Sequence, residues 1–424
     1  MNISIVGTGY VGLVTGVCFA SLGHNVTCVD IAPERVQNIN QGVPPIFEEG
    51  LEKMLKETLK NNKLAATTDL KTAVEDSSIS FICVGTPSGL LGEIDLQYIE
   101  DVGRSIGEYL TSKYHVVVMK STVVPGTTEF SLIPLIEANS GKRPGEDFGV
   151  VMNPEFLREG TAIQDFLHPD RIVIGGIDER STETVSELYN NFDSPNFKTS
   201  PSTAEMIKYA TNSFLATKIS FINEIGNICK QLDIDSYEVA EGLGLDSRVS
   251  PSFLRAGIGF GGSCFPKDVK ALVGKAKEIY YHPQVLNAAL ELNETQPLRL
   301  IKILENKIGD LKDRNVSVLG LAFKPGTDDM REAPSIKIIN KLLKKGAKVH
   351  ATDPEAIEEA KKIFGNSVRY YKNAKEAVKK GKIILIVTEW DEYKDETLYS
   401  GKIVFDGRNV PEARMAKYYE GVCW

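Results

Sequence analysis

The chain has 424 residues, of which 42% are hydrophobic and 25% charged, with a formal net charge of -8. That length exceeds one ordinary core and calls for two or three domains, while the composition excludes disordered, collagen-like and fibrous classes. The negative balance argues against a surface that grips nucleic acid, and no apolar run reaches the ~18 to 20 residues of a membrane span, so neither partner is expected. Six cysteines (Cys18, Cys28, Cys83, Cys229, Cys264 and Cys423) are scattered without a CxxC pair behind an opening that reads as a strand, which points to a reduced, cytoplasmic protein.

The first residues, NISIVGTGYVGLVTGVCFASLGHNVTCVD, spell a strand, the turn Gly7-x-Gly9-x-x-Gly12, a helix and a second strand ending in Asp30. GxGxxG alone is weak, but between a strand and a helix, with an acid at the next strand end, it predicts a dinucleotide site. The glycines allow the tight turn, the approach of a pyrophosphate and close helix packing, and Asp30 favours the ribose of NAD over the 2'-phosphate of NADP. Arg35 tempers that preference. Strand-like runs at SISFICVGTP, HVVVMKST, FGVVMNPE and RIVIGG, separated by helical patterns such as Asp95 to Leu110, extend this into a doubly wound α/β domain. Ligands in such sheets sit beyond the carboxyl ends of the strands, here at Thr86-Pro87, Ser121-Thr122 and Asn153-Pro154-Glu155.

Ser202-Thr203-Ala204-Glu205 has the form of a capping box, and the periodic run after it predicts a long helix. Helical sequence continues to about Pro297. NVSVLGLAFKPG, IKIINKLLKKG and AKVHATDP then repeat the strand, helix, strand order without a GxGxxG, and KIILIVTEW and KIVFDGRN add two strands. The expected architecture is α/β: two Rossmann-like doubly wound domains, 1–200 and 298–424, joined by a long central helix and a helical dimerisation region over 201–297.

Lys208 and Asn212 share one face of the long helix. Periodicity alone leaves Lys208 either a snorkelling lysine or a donor to a developing oxyanion. Glu155 and Glu159, four apart after a strand, are either a solvated pair or include a general base, and face one side if a helical turn begins there. The five histidines avoid these junctions except for His168, and no His and Cys cluster has metal-ligand spacing, so no metal is expected. In GIGFGGSCFPKD, residues 257–268, Gly257, Gly259, Gly261 and Gly262 thin the backbone around Cys264. Local chemistry leaves Cys264 either a small buried hydrophobe in a tight turn or a nucleophile whose thiolate the backbone N–H groups and Lys267 would favour, with Asp268 near enough to orient a water or Lys208.

GTGYVG with Asp30, KSTVVPGT, NPEFLREGTA, the Lys208–Asn212 helix, GFGGSCFPKD and LAFKPGTDDMREAPS together resemble the UDP-glucose 6-dehydrogenase family over essentially the whole chain. GTPS after the Cys83 strand is a minor variation. The resemblance implies an NAD-binding N-terminal domain, a central helix at a homodimer core, a C-terminal domain that grips UDP, and four-electron oxidation of UDP-glucose with two NAD. It implies that Cys264 captures the aldehyde, that Lys208 and Asn212 stabilise the oxyanion, that Asp268 and Thr122 orient water or move protons, and that Glu155 serves hydrolysis. For the cofactor it implies Gly7, Tyr10, Val11, Gly12, Asp30, Arg35, Thr86, Thr122, Glu159, Cys264 and Arg331. For the nucleotide sugar it implies Glu155, Phe156, Leu157, Lys208, Asn212, Phe253, Arg255 (across the dimer), Gly259, Phe260, Gly261, Lys267, Lys324 and Arg408.

Rival readings are a 6-dehydrogenase of GDP-mannose or of a UDP-N-acetylhexosamine with the same cysteine chemistry, a catalytically silent nucleotide-sugar sensor, and a two-electron hydroxyacid dehydrogenase. The last would leave Cys264 idle.

Overall fold

The computed structural model describes residues 1–89 and 92–424. The chain divides into two compact units, residues 1–210 and 211–424. The first holds β1 (Asn2–Val6), β2 (Asn25–Val29), β3 (Leu64–Thr67), β4 (Ile79–Ile82), β5 (His115–Met119), β6 (Phe148–Met152), β7 (Ile172–Gly176) and β8 (Asn196–Thr199). They form one sheet in the order β3-β2-β1-β4-β5-β6-β7-β8. The strands β4, β5 and β6 are buried at every position, as continuous apolar runs covered on both faces must be. The sheet is parallel except where β7 runs antiparallel to β6, so the strand read from RIVIGG breaks the doubly wound pattern. Two edge strands, β3 and β8, were not expected; both are short, and β8 (NFKT) is largely exposed and lacks an apolar run.

The second unit carries β9 (Asn315–Leu319), β10 (Lys348–Thr352), β11 (Arg369–Tyr370), β12 (Ile383–Ile386), β13 (Ile403–Asp406) and β14 (Tyr418–Gly421). They make a parallel sheet in the order β11-β10-β9-β12-β13-β14. Strand order reverses beside β9, as it does beside β1 in the first sheet, which is the doubly wound arrangement.

A long helix, Pro201–Leu232, crosses the division between the units. Its start differs from the capping box expected at Ser202. Ser200 is the cap: its hydroxyl accepts the N–H of Thr203 at 3.3 Å, and Pro201 occupies the first turn. Glu205 turns away from the cap to bond Gly126 and Thr128. Helical sequence does not end at Pro297 either. One helix runs Gln284–Ile308 through that proline, which cannot offer an N–H to the carbonyl of Asn293. Among the described residues, no helix is long and apolar enough to cross a membrane.

Candidate active site

In the first unit, Gly7 closes the turn after β1 with φ +97°, and a Cβ on Gly12 would lie 1.9 Å from the carbonyl oxygen of Gly7. Both positions exclude side chains for reasons internal to the fold. Gly9, the N-cap of the helix Tyr10–Ser21, is different: it is exposed, and a Cβ there would meet nothing within 4 Å. Room for a ligand at a helix N-terminus is what a bound pyrophosphate requires, so the loop fits the dinucleotide that the sequence calls for.

Asp30 stands at the end of β2, 7% exposed. Its Oδ2 accepts the hydroxyl (2.5 Å) and N–H (3.1 Å) of Thr8 and lies 3.2 Å from Arg35 Nη1, and Oδ1 accepts the N–H of Ala32 at 3.0 Å. Burial alone would raise its pKa, but these bonds and the Arg35 charge outweigh it and hold the carboxyl below its usual range. Ile31 beside it is 90% exposed, a bare apolar platform that the sequence reading did not single out. Tyr10 donates to Glu48, which also accepts the N–H groups of Gly160 and Ala162, each at 2.7 Å. Glu48 thus ties the cofactor helix to the segment that carries Glu159.

At the ends of β5 and β6 the polar groups are buried. Lys208 Nζ lies 2.9 Å from Glu155 Oε1, with both side chains nearly enclosed, and sits 5.4 Å from the centroid of the Phe156 ring. Glu155 Oε2 accepts the N–H of Leu157 at 2.6 Å. Burial pushes the Glu155 carboxyl up, but Lys208, the Leu157 N–H and Lys120 together hold it below its usual range, which favours the carboxylate. No helical turn begins at Glu155: residues 153–158 are irregular, and Glu155 is buried while Glu159 is only half-buried, so the pair does not share a face. Lys120, which the sequence reading passed over inside KSTVVPGT, donates to Asn153 Oδ1 at 2.9 Å, and burial pulls its pKa down to about 8. Thr122 and Thr86 are both half-buried.

In the second unit, Cys264 is half-buried and caps the helix Phe265–Glu278, where Pro266 opens the first turn. A helix N-terminus stabilises negative charge on a cap atom, which suits a thiolate. The glycine loop is held at three places: Asn223 Oδ1 accepts the N–H of Gly257 (2.8 Å), Asn293 brackets Phe260 through its N–H (2.8 Å) and carbonyl (3.0 Å), and Gly262 donates to the carbonyl of Arg331 (2.8 Å). A Cβ on Gly261 would stand 2.5 Å from the carbonyl oxygen of Glu332, so only glycine fits.

Asp268 is 1% exposed. Its Oδ2 accepts Asn212 Nδ2 at 2.6 Å, and Oδ1 faces Lys267 Nζ at 2.9 Å as an ion pair whose angle leaves that oxygen without a hydrogen bond. Asp268 therefore meets Asn212 and Lys267. Phe253 (φ +65°) and Phe260 both pack against Phe265. Arg408 reaches this loop, donating to the carbonyls of Val387 (2.9 Å), Gly259 (3.2 Å) and Phe323 (3.4 Å), and Lys324 Nζ sits 5.6 Å from the Phe323 ring centroid. Arg331 is exposed and forked onto Asp329, and Arg255 is exposed and lines a cavity of about 440 Å³ with Tyr237, Glu389, Lys394 and Asn409.

A glycine turn opening a helix, an acid at the next strand end and a cysteine at a helix N-cap in a braced glycine loop are the features of a dinucleotide-dependent oxidoreductase. Comparison with known proteins narrows this. Family models of the UDP-glucose/GDP-mannose dehydrogenase family match in three parts: the NAD binding domain over residues 1–193, the central domain over 202–295 and the UDP binding domain over 317–413. The chain is 45% identical to UDP-glucose 6-dehydrogenase TuaD of Bacillus subtilis, covering 96% of this chain and 89% of the relative. It is 44% identical to UDP-glucose 6-dehydrogenase AglM of Haloferax volcanii, with both chains fully covered. A solved UDP-glucose dehydrogenase from Pyrobaculum islandicum has a TM-score of 0.96 and 43% identity, covering 100% of this chain and 97% of that one. The chain belongs to the UDP-glucose/GDP-mannose dehydrogenase family, and it is an NAD-using dehydrogenase.

Proposed function

We propose that the protein oxidises the C6 alcohol of UDP-glucose to the carboxylate of UDP-glucuronate, with two NAD consumed per sugar. The observation that carries the reading is Cys264 at a helix N-terminus, in a loop braced by Asn223 and Asn293, on a chain 45% identical to a UDP-glucose 6-dehydrogenase. Gly7, Tyr10, Val11, Gly12 and Asp30 hold NAD, which supplies the hydride acceptor. Lys208 and Asn212 donate to the oxygen on C6 as it gains negative charge.

Once the alcohol has lost a hydride and a proton, the Cys264 thiolate adds to the aldehyde carbon, which keeps the aldehyde from escaping. The thiohemiacetal loses a second hydride and proton to become a thioester. Water activated by Glu155, with Asp268 and Thr122 orienting, then attacks the acyl carbon and expels the thiolate. Glu155 is suited to this because it is ionised and buried. Phe260, Lys267, Lys324 and Arg408 hold the nucleotide sugar, and the UDP-binding region spans 298–424.

We propose that the working form is a cytoplasmic homodimer built on residues 201–297. Phe214, Phe221 and Ile228, spaced by seven on the long helix, are 65%, 49% and 51% exposed, an apolar stripe suited to a second copy.

The test is a panel of nucleotide sugars assayed for NADH. UDP-glucose should yield two NADH per sugar, and Cys264→Ala should bind NAD yet form almost no uronate. A yield of one with free aldehyde, or normal turnover by the variant, overturns the mechanism. Preference for GDP-mannose or a UDP-N-acetylhexosamine overturns the substrate.

A further inference from the structure

Glu205, near the start of the long helix, is fully buried. Its Oε2 accepts the N–H of Gly126 at 2.6 Å, and its Oε1 accepts the N–H and the hydroxyl of Thr128 at 2.8 and 2.6 Å. These donors lie in the turn that leads from β5 into the helical segment Thr128–Leu132, where Gly126 has φ +96°. The carboxylate therefore satisfies, from another helix, N–H groups that a helix start leaves without partners. Ser202 adds a second tie by donating to Glu129. At its other end the same loop is pinned by Ser121, whose hydroxyl donates to the carbonyls of Val84 (2.7 Å) and Ile82 (3.2 Å). Thr122 lies between the two pins. Three residues beyond Glu205, on the next turn of its helix, Lys208 meets Glu155.

We propose that Glu205 is a positioning residue that locks the Thr122 loop to the Lys208 turn of the long helix, so that hydroxyl and ammonium keep one mutual geometry through both oxidation steps. The inference rests on the function proposed above. Enclosed as it is, Glu205 acts through Thr122 and Lys208. Burial raises its carboxyl to about 7 against the pull of the Thr128 and Gly126 donors, and the charge of Glu129 adds to the rise. Proton uptake turns one acceptor oxygen into an O–H and weakens the tie. Glutamine, with one acceptor and one donor, imitates that protonated form.

The experiment uses the full chain carrying Glu205→Gln, with kcat and KM measured on UDP-glucose and NAD between about pH 6 and pH 8.5. At the alkaline end kcat falls about tenfold or more while KM for UDP-glucose stays within about twofold, because misplaced groups slow the chemical steps more than binding. The ratio of wild-type to variant kcat shrinks toward one as the pH drops below Glu205's own value, and groups shared by both proteins cancel in it. A kcat within about twofold of wild type, or a ratio flat with pH, overturns the proposal. Thr128→Val removes only the hydroxyl donor and serves if the first variant does not fold. It should lower kcat by a smaller factor and speed amide hydrogen exchange over residues 121–130, and no change in either overturns the proposal. Failure of the wild type to oxidise UDP-glucose sinks the functional reading instead. The exchange measurement then decides alone whether Glu205 holds the loop.

Discussion

Replacing Glu155 by glutamine removes the carboxylate that pairs with Lys208 at 2.9 Å, and weakens the support of an ammonium 3% exposed to solvent. Breaking one half of a buried pair costs about 3 to 5 kcal/mol, because the remaining charge cannot recover its hydration. The Phe156 ring, 5.4 Å from Nζ, faces the ammonium in both proteins and cancels in the difference, so the expected loss stays at about 3 kcal/mol or more. The double variant Glu155→Gln with Lys208→Met removes both partners of the pair, so it should be less destabilised than the sum of the single variants by about 2 kcal/mol. Urea unfolding must be followed by circular dichroism, since Trp390 and Trp424 both lie in residues 211–424 and do not report on this unit. The sign of the pH dependence gives a further check. The Glu155 carboxyl is held below its ordinary value of 4.5, so its contribution is present above 4.5 and is lost as the pH falls through the depressed folded value. The gap between wild type and Glu155→Gln should therefore close in acid. Additive single variants, a loss under about 1 kcal/mol, or a gap indifferent to pH would refute the reasoning.

Asp30→Ser should raise the KM for NAD by about ten- to a hundredfold, the value of charged hydrogen bonds to a ribose, and narrow the preference over NADP; an unchanged NAD to NADP ratio contradicts the assignment. Asp353→Asn, at the matching strand end of the second unit, should leave the KM for NAD untouched and lower the urea midpoint seen by tryptophan fluorescence; a cofactor effect without a stability effect would reverse the reading. Asn293→Ala strips both bonds from Phe260 and should cost about 1 to 3 kcal/mol by the same fluorescence assay, with slower capture of the aldehyde by Cys264; unaltered stability and turnover would show that the loop does not need this brace.

What was legible in the sequence is what lies close along the chain. The glycine turn and Asp30 fall within one strand, helix, strand unit, and Lys208 and Asn212 share a helix face by spacing. Cys264 stood out because four glycines crowd it. The supports were not legible, because their partners are remote. Glu48 meets residues more than 110 positions away, Glu205 residues nearly 80 away, and Asn293 and Asn223 grip the cysteine loop across more than 30. A buried Asn or Glu has no periodicity to announce its partner. Edge strands failed for a related reason: β3, β8, β11 and β14 are too short or too exposed to carry the apolar run that marked β4 to β6.

The two sheets repeat one design, yet only the first fits NAD, and the difference lies in how each uses its strand-end acid. Asp353 follows β10 as Asp30 follows β2, but it is fully buried. Its Oδ2 accepts the N–H groups of Leu321 (2.7 Å) and Ala322 (3.1 Å) and the indole of Trp390 (3.0 Å), and its Oδ1 accepts those of Glu355 (3.0 Å) and Ala356 (2.9 Å). Five donors fill the roughly four lone-pair sites of a carboxylate, so nothing remains for a ribose. Among the described residues Asp30 Oδ1 accepts only the Ala32 N–H, beside the exposed Ile31, and the turn before its helix leaves open space at Gly9 where the second unit places Leu321 and Ala322. The same acid thus keeps an acceptor open to a ligand in one unit and braces the fold in the other. The nucleotide proposed for the second unit must therefore be held elsewhere than at this acid, and the proposal places it at the glycine loop that Arg408 reaches.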